Sequence, residues 1–314
     1  MIKKIVTIVV SHNRAKLLTR CIEYLRRQTY PIYKILIVDN GSEFDVRELI
    51  NCIKLKYENV ELLLQENLGG AGGFSNGMKY AIAEFESLDF LWLMDDDGYP
   101  TENALKELVD SSALFDKSIL NSLVVSNLLT KKLSFPFYHG IDELLDENND
   151  IKYFVNKANF FNGTFIPKSV ILRLGFPISK LFVKGDELEY FERALMKLKI
   201  PMITVRASVF VHPSNDESMD GDISIDKLWH VYFNLRNFFY SHRFDSNITA
   251  SKKIQWIIRL YKYFRYWRKF KRDFIVHQVS NKETKKRLLN LVLWHVITDN
   301  YSFKPADIKL KFGK

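Results

Sequence analysis

Three consecutive aspartates, Asp95, Asp96 and Asp97, close the apolar run Phe90-Leu-Trp-Leu-Met94 and are followed directly by Gly98. Carboxylates so placed repel one another unless a cation neutralises them, and their hard oxygens suit Mn2+ or Mg2+. Upstream, Asn67-Leu-Gly-Gly-Ala-Gly-Gly-Phe-Ser-Asn-Gly77 sets Gly69, Gly70, Gly72 and Gly73 in a loop between a strand pattern and a helix pattern. Glycines in such a loop let the backbone approach a ligand closely, and the following helix N-terminus favours a phosphate. Together the two segments describe a diphosphate held against a metal. A dinucleotide-binding fingerprint is the rival reading, but it needs its glycines after the first strand. Here Ser11-His-Asn-Arg14 follows the first strand and the glycines follow the third. No Walker lysine motif is present.

Single residues add weaker signals. Asp39 ends the second strand, where open α/β sheets bind ligands; it can accept from a ribose or uracil, or form the turn before Asn40-Gly41. Arg14 stands at a helix start, against the helix dipole, which a nearby pyrophosphate would correct; a surface arginine is the simpler alternative. His212, after the apolar run Ala207 to Val211, reads on its own as structural.

The elements that position these residues follow from periodicity. Short β-branched runs alternate with amphipathic helical stretches over the first hundred residues, the pattern of a parallel sheet with crossover helices. Strands are expected at 5–10, 34–39, 60–64 and 90–94, with helices after each up to about Leu114. Further strands are expected near 123–126, 158–166 and 207–212, and a helix over 187–199. From Ile225 onward the pattern is helical and aromatic. Cys21 and Cys52 fall at apolar helix positions, so two buried free thiols are expected rather than a disulfide. Met1-Ile-Lys-Lys-Ile-Val runs straight into a strand pattern, with neither a signal-peptide core nor a membrane span in the chain, so a cytoplasmic location is expected.

The motifs Val9-Val-Ser-His-Asn-Arg14, Ile37-Val-Asp-Asn-Gly-Ser42, Asn67-Leu-Gly-Gly-Ala-Gly-Gly-Phe74, Trp92-Leu-Met-Asp-Asp-Asp97, Phe161-Asn-Gly163 and Lys184-Gly-Asp-Glu-Leu-Glu-Tyr190 occur in this order. Over about residues 3–240 the chain thereby resembles family 2, GT-A-type glycosyltransferases. The glycine-rich form with three aspartates looks most like the family's galactofuranosyltransferases. The resemblance implies an α/β GT-A fold: a mostly parallel sheet flanked by helices, with a C-terminal helical appendage. It divides the chain into a transferase domain at 1–240, with a nucleotide-binding half at 1–98 and an acceptor half at 99–240, and a basic aromatic region at 241–314. It also implies an inverting, metal-dependent transfer from UDP-galactofuranose to a lipid-linked glycan, as in O-antigen or capsule synthesis.

Carried over residue by residue, the resemblance places Val9, Ser11, Asn13, Arg14, Asp39, Asn67, Gly69, Gly70, Gly72, Gly73, Met94, Asp95 and Asp96 on the donor. It makes Asp95, Asp97 and His212 ligands of Mn2+ or Mg2+, and turns His212 from a structural residue into a functional one. An inverting transfer needs a carboxylate to take the proton of the acceptor hydroxyl. The family commonly shows Asp-Asp or Glu-Asp with the second member as base, whereas this chain has Asp186-Glu187, a base one methylene longer. Glu187 is expected as the base and Asp186 as an acceptor contact. The bland alternative is a pair of first-turn acids, with Glu189 and Arg193 an ordinary i,i+4 pair. Trp229 and His230 open an aromatic helix, and Trp229 suits either an acceptor sugar face or a core. Other readings are a UDP-hexopyranose or dTDP-rhamnose donor, or an idle sugar-nucleotide or glycan-binding protein; the intact Asp95, Asp97, His212 and Glu187 set favours an enzyme.

The formal charge of +9 is local. Lys252, Lys253, Arg259, Lys262, Arg265, Arg268, Lys269, Lys271 and Arg272 form a run without acids; without these nine, the remaining Lys and Arg equal the 37 Asp and Glu in number. On a helical projection Trp256, Leu260, Phe264, Trp267, Phe270 and Phe274 share one face opposite Lys262, Arg265, Lys269 and Arg272. Such a helix over 251–274 can rest on an anionic membrane surface, at the inner face of the plasma membrane, or pack on the domain with its basic face in solvent. One basic helix gives no reason to expect nucleic acid as a partner.

Overall fold

The computed structural model describes residues 2–129, 132–135, 150–212, 224–241, 261 and 279–313. The chain divides into one unit of Met1–Ser179 with Glu187–Asn215, and a second of Lys180–Asp186 with Asp216–Lys314.

In the first unit, β1 (Ile5–Ser11) runs parallel to β2 (Lys34–Asn40) on one side and β4 (Phe90–Asp95) on the other, and β3 (Val60–Gln65) extends the sheet beyond β2. Alternate residues serve opposite faces. Val6, Ile8, Val10, Leu36, Val38, Leu91 and Leu93 join Phe74, Met78 and Ala81 of α3 (Gly69–Glu84) in one cluster. Ile5, Val9, Ile35, Ile37, Trp92 and Met94 join the buried side of α1 (Ala15–Arg26), Ile50 and Ile53 of α2 (Phe44–Lys56), and Leu105 and Leu108 of α4 (Ala104–Ser112) in the other. Strands covered on both faces read as unbroken β-branched runs, which is why β1 and β2 are plain in the sequence.

Beyond β4 the sheet of nine strands becomes mixed. β8 (Asn162–Pro167) lies antiparallel between β4 and β6 (Ile119–Val125), and β9 (Met202–Val211) runs parallel to β6. β5 (Tyr99–Pro100) and β7 (Tyr153–Val155) pair antiparallel with β9. These two strands are too short for period-two patterning and were not expected. Nor was α5 (Lys168–Leu174). The helix expected over 187–199 is α6 (Asp186–Glu192), continued by a π-helical turn at Arg193–Lys197. Arg193 does pair with Glu189, through Nε and Nη2 at 2.9 Å each, but it also donates to the carbonyls of Leu174 and Phe176 at 2.6 and 2.9 Å. It is a half-buried brace rather than a surface pair. Cys21 is buried as expected, whereas Cys52 is exposed, because Ile50 and Ile53 supply the inward side of α2.

The second unit has its own core, in which Leu228, Val231, Tyr232, Phe233 and Leu235 of α7 (Leu228–Ser241) meet Leu288 and Val292 of α8 (Lys282–Thr298) and Ile308 of α9 (Pro305–Phe312). The Asn281 side chain accepts from the Glu283 and Thr284 amides and starts α8. Apart from Tyr261, the helix expected over 251–274 lies outside the described residues. Among the described residues no helix is long and apolar enough to cross a membrane.

Candidate active site

Register brings the chemistry together. Val10 of β1 lies opposite Asp95 of β4, and Ser11 opposite Asp39 of β2, so three parallel strands end side by side. Carboxyl ends of such strands are where open α/β sheets bind ligands. The pairing of β4 with β8 shifts register between Leu93 and Met94, and the Asp95 amide then donates to the Phe161 carbonyl at 3.1 Å. Phe161 holds a left-handed backbone (φ 62°), fixed by its amide donating to Thr164 Oγ1 at 2.8 Å and by its ring stacking on Phe74 at 4.2 Å. The Phe161-Asn-Gly163 motif thus sets the backbone from which the acids project.

The three carboxylates meet different partners. Ser11 Oγ donates to Asp96 Oδ2 at 2.6 Å, and Arg14 Nη1 donates to Asp96 Oδ1 at 3.2 Å and also to Asp97. His212 Nε2 stands 3.1 Å from Asp97 Oδ1. His212 follows β9 directly; its amide donates to the Val125 carbonyl at 2.9 Å, its carbonyl accepts from Ser134 Oγ at 2.6 Å, and its ring meets Phe135 edge-on. Burial, then Asp97, Asp96 and Glu187, raise the Asp95 carboxyl well above the usual range against the pull of Arg14. Burial pushes Asp96 up to about 6, against the Ser11 and Arg14 hydrogen bonds. Burial would raise Asp97 too, but the contacts with His212 and Arg14 outweigh it and hold this carboxyl below its ordinary value. Glu187 therefore lies within electrostatic reach of Asp95.

Among the described residues no three acids, histidines or cysteines already converge as a metal cage. The donor chemistry nonetheless fits a hard or borderline divalent cation: Asp97 and His212 form a carboxylate–imidazole pair beside Asp95, and Arg14 offsets part of the crowded negative charge. Arg14 is neither an idle surface arginine nor an uncompensated start to α1, since two aspartates answer its charge.

The glycine-rich segment is not a loop. α3 begins at Gly69 and contains Gly70, Gly72, Gly73 and Gly77. A Cβ on Gly73 would stand 2.5 Å from Val10 Cγ1, and one on Gly77 would stand 2.8 Å from Val38 and 2.9 Å from Ile8. The glycines allow the helix to lie against β1 and β2, and this close contact overrides their poor helix propensity. Beside Gly70 the space is open. The helix start is built by side chains: Asn40 Oδ1 accepts from the Leu68 amide at 3.0 Å, Asn40 Nδ2 donates to the Gly69 carbonyl at 3.0 Å, and Asn67 Oδ1 accepts from the Gly69 amide at 2.9 Å.

The family model for glycosyl transferase family 2 matches residues 6–122, the stretch that carries these strand ends and the acids. Galactofuranosyltransferase GlfT1 of Mycolicibacterium smegmatis is 31% identical over 215 residues, 66% of this chain and 70% of the relative. Its Mycobacterium tuberculosis counterpart is 30% identical over 69% of this chain and 72% of its own. The chain belongs to glycosyltransferase family 2. Glycosyltransferase GlyG of Streptococcus pneumoniae is 21% identical to this transferase across 99% of the chain and 96% of its own. The fold is GT-A: the mannosyltransferase PcManGT of Pyrobaculum calidifontis, solved with GDP-Man and Mn2+, superposes with a TM-score of 0.54 at 14% identity, covering 99% of this chain and 79% of that one. GalNAc-T7, solved with UDP, GalNAc and Mn2+, gives 0.55 at 14% identity over 84% and 56%.

The remaining expected residues of the transferase are placed as follows. Val9 and Met94 have their side chains in the core, so only their backbones face any ligand. Asp39 is buried and takes the turn role, accepting from the Ser42 amide and from Arg47 Nε at 2.9 Å each. Asn13, at φ 55°, accepts from the Glu43 amide at 2.7 Å and donates its own amide to Ser42 Oγ. Asn67 lies 3.2 Å from His12 Nε2. Asp186 is buried at the start of α6, in the second unit, with Glu187 next in the first. Trp229 and His230 belong to the second unit, where their rings stack at 3.6 Å and Trp229 packs partly into the core. Asn40 and Phe161, absent from the expected site, position the helix start and the acids; a polar residue ending a buried strand was the available signal for Asn40.

Proposed function

We propose that this family 2 enzyme is an inverting, metal-dependent galactofuranosyltransferase, moving galactofuranose from UDP-galactofuranose to a lipid-linked glycan during surface polysaccharide synthesis of the O-antigen or capsule type. The observation that carries the chemistry is the Asp97–His212 pair at 3.1 Å, beside Asp95, which also feels Glu187. The donor assignment is supported by two mycobacterial relatives named galactofuranosyltransferases.

Asp95, Asp97 and His212 would hold Mn2+ or Mg2+, a reading supported by the Mn2+ bound in neighbours of the same fold. The ion would act as a Lewis acid against the departing diphosphate. Asp96 and Ser11 would serve the ribose, and the start of α3 the phosphates. Glu187 would take the proton from the acceptor hydroxyl as that oxygen attacks the anomeric carbon, with no covalent enzyme intermediate. Asp186, Trp229 and His230 are proposed as acceptor contacts. The basic aromatic stretch at 251–274 is proposed to hold the enzyme at an anionic membrane surface.

The test is UDP release with Mn2+ and a synthetic alkyl-diphosphate-linked glycan, supplying UDP-galactofuranose, UDP-galactopyranose or UDP-glucose. Turnover restricted to the furanose donor is expected. Faster turnover with a pyranose donor would retain the transferase and overturn the donor.

A further inference from the structure

Arg236 and Asn237 are consecutive residues in the middle of α7, and both side chains are fully buried. Both reach beyond their own helix. Arg236 Nη2 donates to the Leu181 carbonyl at 2.8 Å; Asn237 Nδ2 lies within donating distance of the carbonyls of Leu181, Val183 and Lys184, at 2.9, 3.0 and 2.6 Å; and Arg236 Nε donates to Asn237 Oδ1 at 3.0 Å. The guanidinium is walled by the rings of Phe233 and Tyr301, with centroids 4.5 and 4.8 Å away. Among the described residues its charge is answered by carbonyls and rings rather than by a carboxylate. Buried polar groups persist where their hydrogen bonds are made, and here those bonds go to one short stretch of irregular backbone.

That stretch is unusual in itself. Phe182 and Lys184 hold φ of 67° and 64°, and Gly185 holds 86°, so a left-handed backbone recurs through the segment. Phe182 is stacked on Phe233 of α7 at 5.7 Å, and a Cβ on Gly185 would stand 3.3 Å from Asn237 Cβ. Such conformations persist only where neighbours over-determine them, and they cluster at functional sites. The next two residues are Asp186 and Glu187.

We propose that Arg236 and Asn237 are positioning residues for the transfer: through the 181–185 strap they fix the backbone that opens α6, and hence where the Glu187 carboxylate stands. This rests on the assignment of Glu187 as base. A base displaced by about an ångström loses rate far more than it loses donor affinity.

Asn237→Ala removes the clamp from α7, and Gly185→Ala strains the strap at its left-handed φ while leaving both clamp side chains in place, so the second variant carries the test should the first fail to fold. With UDP-galactofuranose and the alkyl-diphosphate-linked glycan, each is expected to lower kcat per folded molecule roughly 10- to 100-fold, leave the affinity for UDP with Mn2+ within about twofold, and move the acid limb of the kcat–pH profile. Asn237→Gln, which keeps the amide, should recover part of the rate. Folded variants with unchanged kcat and pH profile, or with kcat and UDP affinity falling together, would overturn the proposal. Glu187→Gln, run alongside, separates the two claims: full activity there removes the base assignment, whereas an inactive Glu187→Gln with fully active strap variants removes only the clamp.

Discussion

Asp95, Asp96 and Asp97 are neighbours in sequence, yet their protonation is pushed in different directions, since successive residues at a strand end project to different surroundings. Asp96 turns into the fold toward Ser11 and Arg14, and Asp97 outward to His212. The identity of the acids was legible from the run itself, whereas the partnership with His212, more than a hundred residues from Asp97 in the chain, was legible only through the family resemblance and not from spacing. At this scale, Glu187→Gln keeps the shape and removes the proposed base. Transfer should fall by roughly 10²- to 10⁴-fold while UDP binding is retained, measured as initial rates beside a UDP titration. Asp97→Ala should abolish the dependence of UDP affinity on Mn2+; a titration with the same metal dependence as the parent enzyme would refute the ligand role.

The helix α3 shows how an element can be misread. Gly69, Gly70, Gly72 and Gly73 have the composition of a loop, and propensity alone argues for one. What requires glycine within the helix at Gly73 is a contact made far away in sequence, where α3 lies so close to β1 that there is no room for a methyl group beside Val10. Gly73→Ala should therefore cost about 1–3 kcal/mol, read as a lowered thermal midpoint, even though alanine is the better helix former. Gly70→Ala, facing open space, is the control and should leave the midpoint unchanged or slightly raised. β5 and β7 escaped the sequence for a different reason: two or three residues carry no period, and only their pairing with β9 defines them.

At the scale of the whole molecule the charge is unevenly spread, with the excess of nine positive charges matched by the basic residues between Lys252 and Arg272. Attraction of such a stretch to anionic lipid is screened within about 10 Å at 0.1 M salt. The full chain should pellet with phosphatidylglycerol vesicles at low ionic strength and be released as salt rises. The double variant Arg265→Glu with Lys269→Glu should stay in the supernatant while keeping its affinity for UDP. Equal pelleting of the two proteins would remove membrane docking by this stretch.

The strands β1 to β4, the crossover helices α1 and α2, the acids and the glycine-rich signature were all open to sequence reading, because each depends on local periodicity or on a contiguous motif. So was family membership, which follows from the order of those motifs. Tertiary structure alone decided that β8 enters antiparallel between β4 and β6, that the glycines build a helix rather than a loop, and that Arg193, half-buried, and Arg236, buried, are braces. It also decided that Phe161 shapes the acid cluster. Each of these rests on a partner distant in the chain, and sequence spacing carries no record of which distant backbone comes within hydrogen-bonding or van der Waals reach.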